Sequence, residues 1–203
     1  SATEIRAGQA VSYVLEVKNT GEISLENIEI SSNFSMKDIR KKMNYSIEII
    51  NAIENNDIPK ILEYFNITTN KDEDGLYTIS HYDLTNTGHV FKPIDLGIDE
   101  NNMFKSIKHI EGKLNLRGSE LTDTGELESI GGDVQALNGF LKSLGKIKHI
   151  EGNMNLSASR LTDTGELESV GGNVYITNDS LKSLGKIKSI NGNLYISNSE
   201  IKS

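Results

Sequence analysis

The four histidines are the side chains best suited to acid–base or metal chemistry in this chain of 203 residues, which contains no cysteine. They are His81, His89, His109 and His149, and no Ser-His-Asp motif or metal-binding helix motif accompanies them. His109 and His149 share a position two repeats apart in the pattern described below, which corresponds to about 10 Å. One metal ion cannot bridge that distance. We therefore expect surface histidines, no catalytic residues, no cofactor and no enzyme.

Acidic side chains offer a second chemistry, the binding of a hard cation. Residues 70–75 read Asn-Lys-Asp-Glu-Asp-Gly, with oxygen ligands at alternate positions and then a glycine, as at the start of a calcium loop. Asn70, Asp72 and Asp74 would be the calcium ligands. The twelfth position is His81, where a calcium loop has a bidentate Glu, so the alternative is an acidic turn. The sequence favours this turn and no metal site.

The overall charge limits the class of partner. Lys and Arg number 21 against 29 Asp and Glu, which gives a formal net charge of −8. Nucleic acids and anionic membranes attract basic surfaces, so neither is an expected partner. No apolar run approaches the roughly 18 residues that a membrane span needs. We expect a protein partner, with no nucleic acid and no membrane.

A 20-residue repeat organises the chain from Ile107 onward. Three apolar columns are Ile110, Ile130, Ile150, Val170 and Ile190; then Leu114, Val134, Met154, Val174 and Leu194; then Leu116, Ala136, Leu156, Ile176 and Ile196. Apolar residues two apart, with polar neighbours, predict a short strand with one buried face. Each repeat is therefore predicted to form one coil of a solenoid, with strands stacked about 4.8 Å apart in a parallel sheet.

A 40-residue period lies on top of the shorter one and alternates charge between neighbouring coils. Its two columns are Glu126, Lys146, Glu166 and Lys186, and Glu128, Lys148, Glu168 and Lys188. The favoured interpretation is a ladder of ion pairs that fixes the register of the coils, because a slip by one coil would oppose like charges. A charged docking strip is the alternative.

Residues 107–203, and especially "SVGGNVYITNDSLKSLGKIKSINGNLYISNS", resemble leucine-rich repeats of bacterial and phage proteins and the repeats of receptor L domains. Leu114, Leu116 and Leu121 fit the core pattern L-x-L-x-x-N-x-L of that family. Its asparagine column falls here at Ser119, Gly139, Ser159, Asp179 and Ser199. The departure leaves two forms open, a horseshoe and a flatter stack like a β-helix. The resemblance implies binding rather than catalysis.

The segments before the repeat predict a cap. Residues 1–35 alternate as a β segment, and residues 7–31 resemble Ig-like repeats of Gram-positive surface proteins. Residues 36–89 predict a helical hairpin and a strand: one helix ends near Glu54, Asp57 caps a second helix with an early Pro59, and residues 76–84 form the strand. Residues 90–203 form the solenoid, with Val90, Ile94 and Leu96 as a degenerate first coil. The predicted class is thus α+β, a short parallel β-solenoid behind a helical cap.

The predicted binding site is the outward side of the strands. Its residues are Asn115, Gln135, Asn155, Tyr175 and Tyr195, an amide-rich column that ends in two tyrosines. Tyrosine gives contact area at a low entropic cost, which suits protein recognition, although polar strand faces also occur simply because they are solvated. Self-association through the last coil is a further expectation, because that coil presents an apolar face and a sheet edge.

Three functions follow from these expectations. The first is a non-enzymatic protein-binding module of a bacterial surface or secreted protein, a localisation slightly favoured over the cytoplasm. The alternative is an intracellular phage or bacterial effector that binds and inhibits a host protein, such as a nucleic-acid-handling defence enzyme. The third is a structural segment of a longer fibre.

Overall fold

The computed structural model describes residues 46–84, 93–137, 139–157, 159–177, 180–197 and 201. Within them the repeat folds as a parallel β-solenoid, and its columns stack in the predicted register. Ile130 lies opposite both Ile110 and Ile150, and Val134 lies opposite both Leu114 and Met154. The 20-residue period therefore corresponds to one coil, and the predicted α+β class with a parallel solenoid is confirmed. The predicted β segment at residues 1–35 lies outside the described residues.

Each coil contributes two strands, where the sequence predicts one. The thirteen strands of the described residues are β1 (Thr69–Lys71), β2 (Tyr77–Ile79), β3 (Tyr82–Asp83), β4 (Ile107–Ile110), β5 (Leu114–Asn115), β6 (Ser129–Ile130), β7 (Val134–Gln135), β8 (His149–Ile150), β9 (Met154–Asn155), β10 (Ser169–Val170), β11 (Val174–Thr177), β12 (Ser189–Ile190) and β13 (Leu194–Ser197). Sheet A has the order β1-β2-β4-β6-β8-β10-β12, and sheet B the order β3-β5-β7-β9-β11-β13. All neighbours pair in parallel except β1 and β2, which are antiparallel.

One hydrophobic core runs through the coils. The residues of the apolar columns are almost fully buried in the interior coils, as shown by Leu114, Leu116, Leu121, Leu127 and Ile130 at 0–1% exposure. The strands of sheet A were not predicted from the sequence, because they are two residues long in most coils and bury one side chain each. A strand this short has no alternation to read from the sequence.

A side chain and a glycine form the same turn in four successive coils. The backbone N–H groups of Gly125, Gly145, Gly165 and Gly185 donate to the side-chain oxygens of Asp123, Ser143, Asp163 and Ser183, at 2.6, 3.0, 2.7 and 3.0 Å. All four glycines have a φ between 53° and 60°, a region that favours glycine. Each turn lies between a strand of sheet B and the next strand of sheet A.

Two helices cap the N-terminal end of the solenoid. Helix α1 (Ile47–Glu54) begins after Ser46, and helix α2 (Ile58–Tyr64) begins after Asp57, whose side chain accepts a hydrogen bond from the Lys60 N–H at 3.3 Å. The prediction of a second helix with Asp57 as its cap is therefore confirmed. Their buried residues, including Ile49, Ile61 and Leu62, join the core of the coils. The earlier part of the predicted first helix, residues 36–45, lies outside the described residues.

The first coil differs from the prediction. Strands β2 and β3 take its strand positions, with Ile79 opposite Ile110 and Tyr82 opposite Leu114. The expected single strand over residues 76–84 is thus divided between the two sheets. The placement of Ile94 and Leu96 at strand positions was wrong, because Pro93–Leu96 is a 3-10 helix; Val90 lies outside the described residues.

Residues that follow this 3-10 helix complete the first coil and support the next one. They form helix α3 (Glu100–Met103) and a second 3-10 helix, Phe104–Ser106. The Phe104 carbonyl accepts the Glu126 N–H at 3.2 Å, and the Asn101 side chain accepts the Thr122 N–H at 3.0 Å. The strand part of the first coil therefore precedes the expected place, while its later part contacts the next coil at offsets of 22 and 21 residues, close to the 20-residue period.

Candidate functional site

Two tyrosines on the outward side of sheet B form a stacked pair. Strands β11 and β13 pair in parallel with Tyr175 opposite Tyr195, and the two ring centroids are 4.9 Å apart with the planes at 5°. The flanking Val174 and Ile176 point into the core, at 0% and 1% exposure. The tyrosines are 38% and 50% exposed. The alternation of the strand therefore holds two large aromatic side chains at the surface.

The structure places all five predicted binding residues in one column, but the asparagines also serve the backbone. The side-chain oxygens of Asn115 and Asn155 each accept a hydrogen bond, at 3.0 Å, from the backbone N–H two residues later, at Arg117 and Ser157. Both amides are half-buried, whereas Gln135 is exposed. Their carbonyl oxygens thus hold the end of a strand. We define the tyrosine face as the outward side of sheet B that carries Gln135, Leu137, Tyr175 and Tyr195.

Three exposed apolar side chains lie on the outward side of sheet B. They are Tyr175, Tyr195 and, two residues after β7, Leu137, among the six large hydrophobic side chains that are exposed in the described residues. Phe140 is exposed five residues after β7, and Leu194 belongs to the inward column of the last described coil, opposite the buried Val174. Leu137 and Phe140 were not among the predicted site residues. Their signal in the sequence is that each is the sole apolar residue in a column that otherwise reads Arg, Ser, Thr and Ser, or Glu, Arg, Ser and Glu.

A ladder of one aspartate and three asparagines lies directly before the strands of sheet B. This position differs from that of the asparagine column in the leucine-rich-repeat pattern. The side-chain oxygen of Asp133 accepts the Asn153 N–H at 2.6 Å, Asn153 does the same for Asn173 at 2.8 Å, and Asn173 for Asn193 at 2.8 Å. Each side chain therefore satisfies a backbone donor of the following coil. This ladder holds the strands that carry the tyrosine face in register.

On the outward side of sheet A, polar side chains of neighbouring strands form hydrogen bonds with each other. The Nδ1 atoms of His109 and His149 lie 2.8 and 2.9 Å from the hydroxyl oxygens of Ser129 and Ser169, each on the following coil. Sequence reasoning placed the two histidines in one column but missed the serines between them. Among the described residues, no group of three or more His, Asp or Glu side chains is arranged to hold a metal ion.

The acidic segment at residues 70–75 surrounds a lysine. It forms the turn between β1 and β2, in which the Asp72 side chain accepts the Leu76 N–H at 2.8 Å. The Lys108 ammonium lies 3.5 Å from Asp72 and 2.8 Å from Asp74. Burial raises the pKa of Asp72, but the Leu76 N–H and Lys108 together hold the pKa below its ordinary value. Asp72 and Asp74, two of the three candidate calcium ligands, therefore form ion pairs with Lys108.

The predicted charge ladder forms ion pairs between successive coils. Lys146 contacts Glu126 at 2.6 Å, Lys186 contacts Glu166 at 2.7 Å, and Lys188 contacts Glu168 at 2.7 Å. The Lys188 hydrogen bond lowers the pKa of Glu168. All of these side chains are at least about one-third exposed, so each pair contributes little stability on its own. The observed contacts fit the prediction that the ladder fixes the register.

A buried polar cluster around Glu100, which was not predicted from the sequence, lies in the first two coils. Glu100, 5% exposed, accepts hydrogen bonds from the Tyr82 hydroxyl at 2.6 Å, the Ser119 hydroxyl at 2.9 Å and the Glu120 N–H at 3.2 Å. Burial raises the pKa of Glu100 although these donors oppose it. Burial, together with the adjacent carboxylate, raises the pKa of Tyr82. The bonds from Ser119 and Glu120 connect helix α3, which carries Glu100, to the next coil.

Comparison with protein families, curated proteins and solved structures found no match to this chain. None of the helices in the described residues has the length and apolar character needed to cross a membrane. The function is therefore inferred from the surfaces that the coils present.

Proposed function

We propose that this chain is a non-enzymatic repeat module that binds another protein through the tyrosine face. The observation that supports the proposal is that Tyr175, Tyr195 and Leu137 are exposed on the outward side of sheet B, with the two tyrosine rings stacked at 4.9 Å. Exposed apolar groups within a polar surround are typical of protein interfaces, and tyrosine is enriched among the residues that dominate binding energy.

The geometry of the pair favours a particular kind of contact. Each ring covers one face of the other, so a partner can meet the ring edges, the hydroxyl groups and the outer faces of the pair. The pair also loses little conformational freedom on binding, because stacking already limits both side chains. Leu137, two coils from Tyr175, adds a second apolar contact on the same face. The preferred partner surface is thus apolar with hydrogen-bond acceptors at its rim.

The resemblance to bacterial and phage leucine-rich repeats supports binding as the role and is the basis for proposing a bacterial surface or secreted protein. An intracellular phage or bacterial effector that inhibits a host protein is the second proposal, and the net charge of −8 supports it because an acidic surface fits a basic, nucleic-acid-handling target. Both proposals use the same face and differ in the compartment of the partner.

Affinity capture with three baits tests the proposal. The baits are the wild type, the double variant Tyr175→Ala/Tyr195→Ala, and the control Lys148→Ala/Ser189→Ala, whose two exposed residues lie on the sheet A side. Each bait is exposed to bacterial surface extract and to cell lysate, and a captured protein is then purified for direct binding. We expect wild type and control to bind it and the tyrosine variant to bind at least about tenfold more weakly. Equal binding by all three would contradict the proposal.

A further inference from the structure

The tyrosine face contains a recess between two of its exposed side chains. Gln135, Asn155 and Tyr175 lie opposite one another on the successive strands β7, β9 and β11. Gln135 and Tyr175 are exposed, whereas Asn155 is half-buried. Neighbouring strands are about 4.8 Å apart, so Gln135 and Tyr175 stand about 10 Å apart across the shorter side chain of Asn155. We define this recess as the slot.

A hydrogen bond turns the Asn155 amide along its own strand. Its side-chain oxygen accepts the Ser157 N–H at 3.0 Å, so the amide leaves the space above it open. One face of the Tyr175 ring stacks on Tyr195, and the opposite face is therefore directed toward the coil of Asn155. The slot thus has an aromatic wall, and a flat group placed over Asn155 can stack on Tyr175 as Tyr195 does on the other side.

A carboxylate lies at one end of the slot. Asp133 is exposed beside Gln135, and its Oδ1 atom accepts the backbone N–H and the side-chain amide of Asn153, at 2.6 and 3.0 Å. These bonds direct the carboxylate toward the coil that carries the floor of the slot. Lys113, the preceding residue of the same column, lies 2.5 Å from the carboxylate of Asp83 instead. Within the described residues, Asp133 forms no ion pair.

Leu137 lies at the other end of the slot and supplies an apolar contact. It is 36% exposed and follows Gln135 by two residues on the same outward side. Each of the three strands that form the slot has a neighbouring strand on both sides, so the shape of the slot does not depend on either end of the sheet. The slot combines an aromatic ring face, an apolar side chain and a carboxylate without an ion-pair partner.

Arginine is the side chain whose chemistry matches all three features. Its guanidinium is planar, stacks on aromatic faces and donates N–H groups to a carboxylate, while its aliphatic stem packs on apolar side chains. A lysine ammonium has the charge without the plane, and an aromatic side chain has the plane without the charge. The net charge of −8 also favours the approach of a basic partner.

We propose that the slot binds an arginine side chain of the partner protein, stacked between Tyr175 and Gln135 with its guanidinium against Asp133. This inference rests on the proposed function, because it names the partner group that the tyrosine face recognises. One side chain in an exposed slot binds weakly by itself, so the test uses a method that detects weak binding.

NMR titration of the isotope-labelled full chain tests the slot directly. The probe is the tripeptide Gly-Arg-Gly with both ends capped, and the control is capped Gly-Lys-Gly, which has the same charge but no planar group. We expect the arginine peptide to shift the side-chain amide signals of Gln135 and Asn155, and to bind at least about fivefold more tightly than the lysine peptide. Equal affinity of the two peptides, or no shift at these two side chains, would overturn the proposal.

Two asparagine variants locate the contact. Asn155→Tyr fills the slot with a ring of the chain itself, and Asn115→Tyr makes the same change two coils away, outside the tyrosine face. The two asparagines are matched, because both are half-buried and both accept the backbone N–H two residues later at 3.0 Å. We expect Asn155→Tyr to abolish binding of the arginine peptide and Asn115→Tyr to leave it unchanged. Peptide binding that survives Asn155→Tyr overturns the proposal.

Asn155→Tyr, used as an additional bait, separates this inference from the proposed function. If the captured partner is lost with Tyr175→Ala/Tyr195→Ala but not with Asn155→Tyr, the proposed function stands and the arginine proposal is overturned. If the arginine peptide binds in the slot but the captured partner tolerates the double tyrosine variant, the slot stands and the proposed function is contradicted.

Discussion

The phenol of Tyr82 donates a 2.6 Å hydrogen bond to the carboxylate of Glu100, and the two side chains are 1% and 5% exposed. This bond joins strand β3 to helix α3 within the first coil, where the predicted strand positions Ile94 and Leu96 were wrong. Ser119 connects the same carboxylate to the second coil. The first coil is therefore attached to the regular ones by a buried polar contact as well as by apolar packing.

Removing the carboxylate should destabilise the capped end of the solenoid. Glu100→Ala leaves the hydroxyl of Tyr82 buried without its acceptor, and removes the acceptor of the Ser119 hydroxyl and the Glu120 N–H. We expect a loss of about 2–4 kcal/mol in the free energy of unfolding. Urea denaturation followed by circular dichroism measures it, with Glu120→Ala as a control that keeps the backbone donor. A loss below about 0.5 kcal/mol would show that the cluster contributes little.

The same carboxyl should make stability depend on pH. Burial raises the pKa of Glu100 in the folded protein above its ordinary value of 4.5, so the folded state holds this proton more tightly than the unfolded state. The contribution is complete below 4.5 and is lost as the pH rises through the folded value. In urea denaturation from about pH 7 down to about pH 4, the stability of wild type relative to Glu100→Gln should therefore increase. A difference that is constant over this range contradicts the shift.

Reversing one rung of the charge ladder should cost stability in a salt-dependent way. Lys146→Glu removes the 2.6 Å contact with Glu126 and places three glutamates in successive coils. We expect a loss of about 1 kcal/mol at low ionic strength, which shrinks in about 1 M NaCl because salt screens exposed charges. The control is Lys142→Glu, the same change on an exposed lysine of that coil outside the two ladder columns. Equal effects of the two variants would mean that net charge, and not the ladder, is responsible.

A methyl group at Gly171 should force neighbouring coils apart. A Cβ atom there would lie 2.1 Å from the Glu151 carbonyl oxygen, which is backbone of the preceding coil. We expect Gly171→Ala to lower the free energy of unfolding by about 2–4 kcal/mol. Gly165→Ala is the control: its Cβ would meet nothing closer than 4.0 Å, but its φ of +59° adds strain of about 1–2 kcal/mol. A smaller effect at Gly171 than at Gly165 would contradict the close stacking of the coils.

Regular stacking could be predicted from the sequence because it repeats a local pattern. The position of Ile130 opposite Ile150 follows from the 20-residue period, and the start of helix α2 follows from Asp57 and Pro59. Both depend on spacing or on the chemistry of adjacent residues, which the sequence displays directly.

The irregular parts depend on contacts that have no period. Ile79 pairs with Ile110 at a spacing of 31 residues, so extending the 20-residue columns places the strand of the first coil at the wrong residues. Nothing in the sequence links Tyr82 with Glu100. At the candidate site, the exposure of Tyr175 and Tyr195 was predicted from the alternation of the strand. The hydrogen bond from the Ser157 N–H to the Asn155 side chain was not predicted, because it depends on the backbone conformation after the strand.

Site-directed photocrosslinking tests the tyrosine face most directly. Tyr175 is replaced by benzoylphenylalanine in one chain, and Ser189, exposed on sheet A, is replaced in a second chain. Both are irradiated in the extract that yields the captured partner. The account predicts a covalent adduct with that partner from position 175 and none from position 189. An adduct from position 189 without one from position 175 would contradict it.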